Sequence, residues 1–327
     1  MPLAMPRTLP APVVAALADL DLRQYGVVRR EQLRGIGLAD WQIDYRVASA
    51  FWQADAGGIV VVLHNGPLSR VQQQAVAVLA GGRVCALAAR TAAANGGLEG
   101  WDAQLVEVVV PRGTTYPPLD LVEVKVHESR RFTSDDVHPA AWPPRVRIER
   151  AVIDAAVWSR RPRTACGIAA AAVQQRLTDA DRLLAELLQA GAVRHRHLLA
   201  SALADIAGGA HAVSELAFRR FCRRNRLPMP THQLVRKDAR GRRRYLDATL
   251  VGPTGQVVRV EIDGALHLVV QTYWSDMYRG NDLSIGREVA LRLPSYVIYA
   301  DDQEAVDQLR RALHLSGPEE TTSARAS

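Results

Sequence analysis

Three acidic residues and one histidine in the C-terminal third of the chain have the types and spacing of a metal-dependent hydrolytic site. Glu261 and Asp263 lie on one face of a predicted strand at 257–264, where alternate side chains are about 7 Å apart. A preceding strand at 245–250 carries Asp247, and a sequence rich in turn-forming residues joins the two strands. Equal distances from the centre of that turn place Asp247 opposite Glu261.

This pairing of carboxylates predicts a bound divalent cation. Directly opposite residues have Cβ atoms about 4.5–5.5 Å apart, and like charges at that distance destabilise a sheet. Mg²⁺ prefers oxygen ligands and often takes only one or two carboxylates, so Asp247, Glu261 and Asp263 are predicted ligands of Mg²⁺ or Mn²⁺. Such a cation supports phosphodiester hydrolysis by stabilising negative charge and supplying hydroxide. His267 belongs to the residue type that titrates near neutrality, and it is predicted to move a proton.

The charge of the chain favours an anionic partner. The formal net charge is +7 and the pI about 9.7, which is typical of proteins that bind nucleic acid. A basic run precedes the hairpin, and its arginines either hold phosphate groups or form a solvated turn: Arg240, Arg242, Arg243 and Arg244. DNA is therefore the predicted partner.

Cysteine usage and hydropathy indicate the compartment. The three cysteines are far apart and form no CxxC pair, so they are predicted to be buried, reduced thiols. No stretch of about 18 apolar residues and no secretory leader pattern is present in the sequence. We therefore expect a cytoplasmic protein with no membrane partner.

The elements that must position the acids follow the order α-β-β-β-α-β-α. They are predicted as a helix at 215–226, a strand at 231–236, the hairpin, a helix at 275–292, a strand at 296–299 and a helix at 303–313. This order fits a mixed sheet flanked by helices.

This C-terminal part, 214–313, resembles the DUF559 family of the restriction-endonuclease-like fold, which is related to the very-short-patch mismatch repair endonucleases. The residues that carry the resemblance are Ser214-Glu215, Leu227-Pro228, Tyr245-Leu246-Asp247, Val260-Glu261-Ile262-Asp263-Gly264, His267, Asp276, Arg279, Asn281 and Leu283.

The resemblance implies roles for these residues. Asp247 and Glu261 correspond to the metal-binding acids of a PD-(D/E)xK-like core, His267 to an acid/base or water-positioning group, and Glu215 to an acid that reaches the site from a helix. Dipole stabilisation of a first-turn acid is the alternative for Glu215. Asp263 stands where many relatives of the fold have lysine, although Glu-x-Asp-Gly is usual in the subfamily that this region resembles. Arg259 or His267 would have to supply the positive charge of that lysine.

The N-terminal part has the pattern of a winged helix-turn-helix. Two short helices with a glycine-containing turn, then a third helix at 41–50, precede a hairpin at 52–63. The third helix has Trp41, Ile43 and Val47 as predicted core residues. It would present Gln42, Asp44, Arg46 and Ser49 to the DNA major groove. The alternative is a packing module that contacts no DNA.

Residues 22–63 also resemble the N-terminal domain of AbiEi-type antitoxins of type IV toxin–antitoxin systems, whose winged helix binds DNA. The matching features are Gln24-Tyr25-Gly26-Val27-Val28, Gln32-Leu33, Gly37-Leu38, Ile43, Phe51-Trp52 and Gly57-Gly58-Ile59.

We therefore predict an α+β multidomain protein with four parts. They are a winged helix-turn-helix at 1–64, an α+β connector at 65–208, a restriction-endonuclease-like α/β domain with a mixed sheet at 209–315, and a disordered tail at 316–327. The predicted function is metal-dependent DNA cleavage, in phage defence or DNA repair. The alternatives are a non-catalytic DNA-binding regulator, antitoxin-like and with a cognate toxin or defence partner, and an RNA-directed nuclease.

Overall fold

Over the residues that the structure describes, the protein combines helices with three small β-sheets, so its fold class is α+β. The computed structural model describes residues 9–207, 215–237, 243–263, 281, 290–294, 297–298 and 303–315. The chain divides into two compact units, Met1–Ala151 and Val152–Ser327. This division is coarser than the four predicted parts, whose boundaries stay predictions.

The first unit begins with a helix-rich segment around a three-stranded antiparallel sheet of order β1-β3-β2. Its elements are α1 (Ala11–Gln24), β1 (Val27–Arg29), α2 (Arg30–Gly35), α3 (Asp40–Ala48), β2 (Gln53–Asp55) and β3 (Val60–Val62). The helices and the hairpin lie where the sequence predicts them. Their shared core consists of Val28, Leu33, Leu38, Ile43 and Val61.

Trp41 on α3 corrects one prediction for this core. The residue is 49% exposed, whereas Ile43, two positions later, is fully buried. An α-helix turns about 100° per residue, so positions two apart face nearly opposite sides. Only one of the two can point into the core, and the smaller side chain does.

The first unit continues with a sheet of order β4-β5-β6, in which β4 is antiparallel and β6 parallel to β5. Its elements are α4 (Arg70–Ala80), β4 (Ala86–Leu87), α5 (Ala89–Asn95), β5 (Val106–Pro111), β6 (Val124–Ser129) and α6 (Ile148–Trp158), the last of which crosses into the second unit.

The sequence also predicts a helix at 85–94 and a strand at 146–149 in this region; the first is wrong at its start and the second is wrong. The predicted helix at 85–94 is interrupted at its start, because β4 pairs with β5 and that pairing overrides the helix propensity of alanine. The predicted strand at 146–149 contains only an isolated bridge from Val146 to Val137, and α6 begins at Ile148.

The second unit contains a mixed four-stranded sheet of order β10-β9-β8-β7. Its elements are α7 (Pro162–Gln174), α8 (Ala180–Gln189), α9 (Arg196–Ala207), α10 (Glu215–Arg224), β7 (His232–Lys237), β8 (Arg243–Val251), β9 (Val257–Asp263), β10 (Ala290–Pro294) and α11 (Gln303–Ala312). Neighbouring strands are antiparallel except for the parallel pair β9 and β10. One face of the sheet is apolar and buried: Ala248, Leu250, Val258, Val260, Ile262, Leu291 and Leu293.

The last strand of this sheet corrects the prediction for 275–299. The sequence predicts a helix at 275–292 and a strand at 296–299, but the strand is β10, and Val297 and Ile298 are helical. Leu291 and Leu293 alternate with an exposed Arg292, which is the period of a half-buried strand. Residues 275–280 and 282–289 of the predicted helix lie outside the described residues.

Two composition-based predictions can be compared with the structure. Cys85, Cys166 and Cys222 are buried and form no disulfide, which confirms that prediction, and burial raises the pKa of the Cys85 thiol to about 12. Among the helices that the structure describes, none combines the length and apolar character needed to span a bilayer.

Candidate active site

The β8–β9 hairpin sets the register of the candidate site. Seven residue pairs run without a break from Tyr245 opposite Asp263 to Val251 opposite Val257, and they include Asp247 opposite Glu261. The prediction that these two acids oppose each other is confirmed.

The turn geometry explains this register. The Gly252 N–H donates to the Gln256 carbonyl at 2.8 Å, and the Gly255 N–H donates to the Gly252 carbonyl at 3.0 Å. Gly255 has φ +80°, and a Cβ atom on Gly252 would lie 2.6 Å from the Leu313 carbonyl oxygen. Glycine is therefore required at both positions, since one needs a left-handed backbone and the other has no room for a side chain.

Burial confirms the predicted alternation along β9. Val258, Val260 and Ile262 are buried, whereas the Glu261 side chain is 31% exposed. Successive side chains of a strand point to opposite faces, so the acids occupy the face opposite the apolar core. A ligand can therefore reach Glu261.

Arg292 on β10 is a site residue that sequence reasoning missed. It pairs in register with Glu261, and its Nε donates to Glu261 Oε2 at 3.0 Å. Asp247, Glu261 and Arg292 therefore form one row across three neighbouring strands. The alternation of Leu291, Arg292 and Leu293 is the sequence signal that could have placed Arg292 on the exposed face of a strand.

Asn281 fixes the backbone at Arg292. Its Nδ2 donates to the Arg292 carbonyl at 2.7 Å, and its Oδ1 accepts from the Arg292 N–H at 2.9 Å. The same Nδ2 donates to Oε1 of Gln308 on α11 at 3.0 Å, and both amide side chains are buried. This buried network holds the arginine backbone independently of its side chain.

The remaining predicted site residues are only partly described. Asp263 ends β9 and Glu215 begins α10, but their side chains lie outside the described residues, as His267 does entirely. Arg243 and Arg244 begin β8 with side chains outside that set, and Arg240 and Arg242 lie outside it. Within the described part of the chain, no three His, Cys, Asp or Glu residues form a metal-binding group. The full predicted ligand set stays a prediction.

Gln42 and Arg46, the predicted DNA-reading residues, lie on α3 and take part in local contacts. Gln42 Oε1 accepts from the Ala39 N–H at 2.9 Å, so this side chain caps the start of the helix. Arg46 donates to the Gln42 carbonyl at 2.9 Å, and its guanidinium carbon lies 5.2 Å from the Trp52 ring centroid. Both residues are half-buried.

Arginines of α2 neutralise the acids of α3. Arg30 pairs with both Asp40 and Asp44, and Arg34 pairs with Asp40. The hydrogen bond from Arg34 is the largest of the interactions that lower the pKa of Asp40. Both acidic residues of α3 are therefore paired with arginines of α2.

A second strand carboxylate, Glu107, lies in the other mixed sheet. Its side chain is 4% exposed, Lys125 Nζ lies 3.2 Å from Oε1, and the Arg90 N–H donates to Oε2 at 2.9 Å. His127 Nε2 is 3.6 Å from Oε1, too far for a hydrogen bond. Burial by itself would raise the pKa of Glu107, but His127, Lys125 and Arg90 outweigh burial and lower the pKa to about 2. Sequence reasoning missed this cluster.

Comparisons with known proteins assign no family. No protein-family model matches the chain, and no curated protein matches it. Among solved structures, the chain is similar to the RV2827C protein from Mycobacterium tuberculosis, with 16% identity and a TM-score of 0.41. The similarity covers 62% of this chain and 79% of that one. A similarity of this size supports no conclusion about function.

Proposed function

We propose that the protein is a metal-dependent DNA endonuclease that hydrolyses phosphodiester bonds. The observation that carries this proposal is the placement of Asp247 directly opposite Glu261, on the non-core face of a mixed sheet. We also propose that this region has the restriction-endonuclease-like fold of the DUF559 family, which it resembles in sequence.

The donor set fits a hard divalent cation. Asp247 and Glu261 offer carboxylate oxygens, which Mg²⁺ and Mn²⁺ prefer, and adjacent strands bring them together. When bound, such a cation stabilises negative charge on the phosphate and lowers the pKa of water. Asp263 is the third proposed ligand.

The chain's own residues orient the substrate and move protons in this proposal. Hydrolysis forms a bond from the water oxygen to phosphorus and breaks the ester bond to the leaving sugar oxygen. The attacking water loses a proton, for which His267 is the proposed acceptor, and the leaving oxygen gains one from solvent or from His267. Glu215 is the proposed additional acid.

The N-terminal segment supports DNA docking. Its order α1-β1-α2-α3-β2-β3, with the sheet order β1-β3-β2, is the one expected of a winged helix. Ion pairs remove the repulsion that Asp40 and Asp44 would exert on phosphates. We propose that α3 approaches the major groove, and that the arginines around 240–244 contact the DNA backbone.

The test is a divalent-metal titration with purified protein on duplex, single-stranded and mismatched DNA, with RNA in parallel. The wild type is expected to cleave DNA with Mg²⁺ or Mn²⁺. Asp247→Asn and Glu261→Gln are expected to lose at least about 100-fold in rate, because even groups that only support a metal ligand contribute 10–100-fold. The matched control is Asp307→Asn, an exposed carboxylate on α11, which should cleave like the wild type.

A specific observation favours a second candidate function. Arg292 already gives Glu261 a cationic partner, so the row of residues can be stable without a metal. The protein would then be a DNA-binding regulator, antitoxin-like and with a cognate toxin or defence partner. Absence of cleavage on every substrate, with DNA binding that weakens steeply as salt rises, would support this alternative and contradict the endonuclease.

A further inference from the structure

We infer that Arg292 contacts a phosphate of the bound nucleic acid and supplies the positive charge that β9 lacks at position 263. This inference rests on the proposed function. At the second position after Glu261, where many relatives of the proposed fold have lysine, this chain has Asp263. The strand therefore adds negative charge at the point where a negatively charged phosphate must bind.

The neighbouring strand brings a cation to the same row. Parallel pairing places Arg292 beside Glu261, with 3.0 Å between Nε and Oε2. Arg259 is a basic residue of the same strand and face as Glu261, but it pairs with Ala290, two positions from Glu261. Two positions along a strand correspond to about 7 Å, so Arg292 lies nearer to Glu261 than Arg259 does.

Exposure allows Arg292 to contact both the carboxylate and a phosphate. Its side chain is 64% exposed although it donates to Glu261. A guanidinium has five N–H donors in a planar fork, and this geometry suits carboxylate and phosphate oxygens alike. A phosphate oxygen can therefore approach the same exposed guanidinium that donates to Glu261.

The backbone network makes Arg292 a testable position. Asn281 bonds the N–H and the carbonyl of Arg292 rather than its side chain. A substitution at 292 therefore removes the charge and keeps these backbone contacts. Arg292→Gln is the main variant, and Arg292→Lys asks whether any cation suffices. Arg223→Gln is the matched control, since Arg223 is exposed on α10 in the same unit.

The first measurement is DNA affinity against salt concentration, by fluorescence anisotropy in Ca²⁺ or EDTA with a defined duplex. Each phosphate contact that is lost should reduce the slope of log K against log[salt] by about 0.9. We expect that reduction for Arg292→Gln and the wild-type slope for Arg223→Gln. A purely structural ion pair with Glu261 would leave the slope unchanged, and that result overturns the inference whether or not the protein cleaves.

The second measurement is the Mg²⁺-dependent cleavage rate of the same variants. The cleavage rate of Arg292→Gln should fall by about 100-fold or more, because losing one donor to a developing negative charge in other enzymes has an effect of that size. Arg292→Lys should recover part of this rate. If the wild type cleaves and Arg292→Gln stays within about twofold, the inference is wrong and the endonuclease stands.

Other outcomes separate the two proposals. A larger loss for Arg259→Gln than for Arg292→Gln would contradict the assignment of the cation. The wild type could also fail to cleave any substrate while Arg292→Gln, and not Arg223→Gln, shows the reduced slope of log K against log[salt]. That result would support the phosphate contact and contradict the endonuclease.

Discussion

Glu107 and Glu261 are the same residue type in equivalent strand positions, yet their surroundings differ. Each lies on a strand of a small mixed sheet and pairs in register with a basic residue of a parallel neighbour, Lys125 or Arg292. Glu107 is 4% exposed, and basic groups surround it, whereas Glu261 is 31% exposed and faces Asp247.

The difference teaches how local charge balance separates a structural carboxylate from a ligand-binding one. Around Glu107, Lys125 and Arg90 outnumber the single negative charge, so the carboxylate needs no further cation. In the row of Glu261, two carboxylates lie beside one guanidinium, and Glu261 is accessible to solvent. Neighbouring carboxylate oxygens with solvent access are the conditions for binding a metal ion.

The largest expected difference between Glu107 and Glu261 is in how much each residue contributes to the free energy of unfolding. Glu107→Gln should lower the free energy of unfolding of its sheet by about 3 kcal/mol, because it removes the buried carboxylate whose interactions with Lys125 and Arg90 lower its pKa from 4.5 to about 2. Glu261→Gln should cost no more than about 1 kcal/mol, since solvent screens that ion pair.

Hydrogen exchange with mass spectrometry can read this effect separately in β5 and β9. Equal losses in the two strands would remove the distinction between the carboxylates.

The free energy of unfolding, measured at several pH values, tests the same distinction between the two carboxylates. The expected change is at most about 3 kcal/mol. The pKa of Glu107 falls from its usual 4.5 to about 2 on folding. Its contribution is therefore fully present above pH 4.5 and is lost as the pH falls towards 2, and the pKa difference corresponds to about 3 kcal/mol.

Urea denaturation followed by circular dichroism at pH 5 and pH 2.5 checks this prediction. The stability gap between wild type and Glu107→Gln should narrow at the lower pH. A gap that stays constant would show that Glu107 is not ionised in the folded protein at low pH.

Divalent metal should produce the smallest of the three effects. Mg²⁺ or Mn²⁺ at about ten times its Kd should stabilise the wild type by about 1.4 kcal/mol, because it binds only the folded state. The midpoint of thermal unfolding would rise by a few degrees. Glu107→Gln should keep this rise and Glu261→Gln should lose it, as differential scanning fluorimetry would show. A rise in both variants would place the metal elsewhere.

The sequence predicted the parts of the site that depend on local geometry. The register of Asp247 against Glu261 follows from a short turn in which Gly255 adopts a left-handed backbone that few other residues tolerate. The alternation of Val258, Val260 and Ile262 follows from the two-residue period of a strand. In the N-terminal segment, the same local signals located the short helices and the hairpin.

Long-range pairing was not predictable in the same way. The predicted position of the last strand was wrong, because a single short apolar run satisfies both helix and strand patterns. Only the parallel pairing of β10 with β9 decides between the two patterns. The predicted core position of Trp41 was wrong. A large aromatic residue suggests a buried position, but the helical angle between Trp41 and the buried Ile43 turns Trp41 away from the core.

The sequence by itself determined that two carboxylates face each other, since a hairpin closes over a few residues and its turn sets every later pair. Only the tertiary structure decided what accompanies those carboxylates. Arg292 reaches Glu261 from 31 residues away through a parallel pairing, and Asn281 and Gln308 hold that strand from still other segments. Parallel strands need a long crossover, so no local spacing records which residues they bring together.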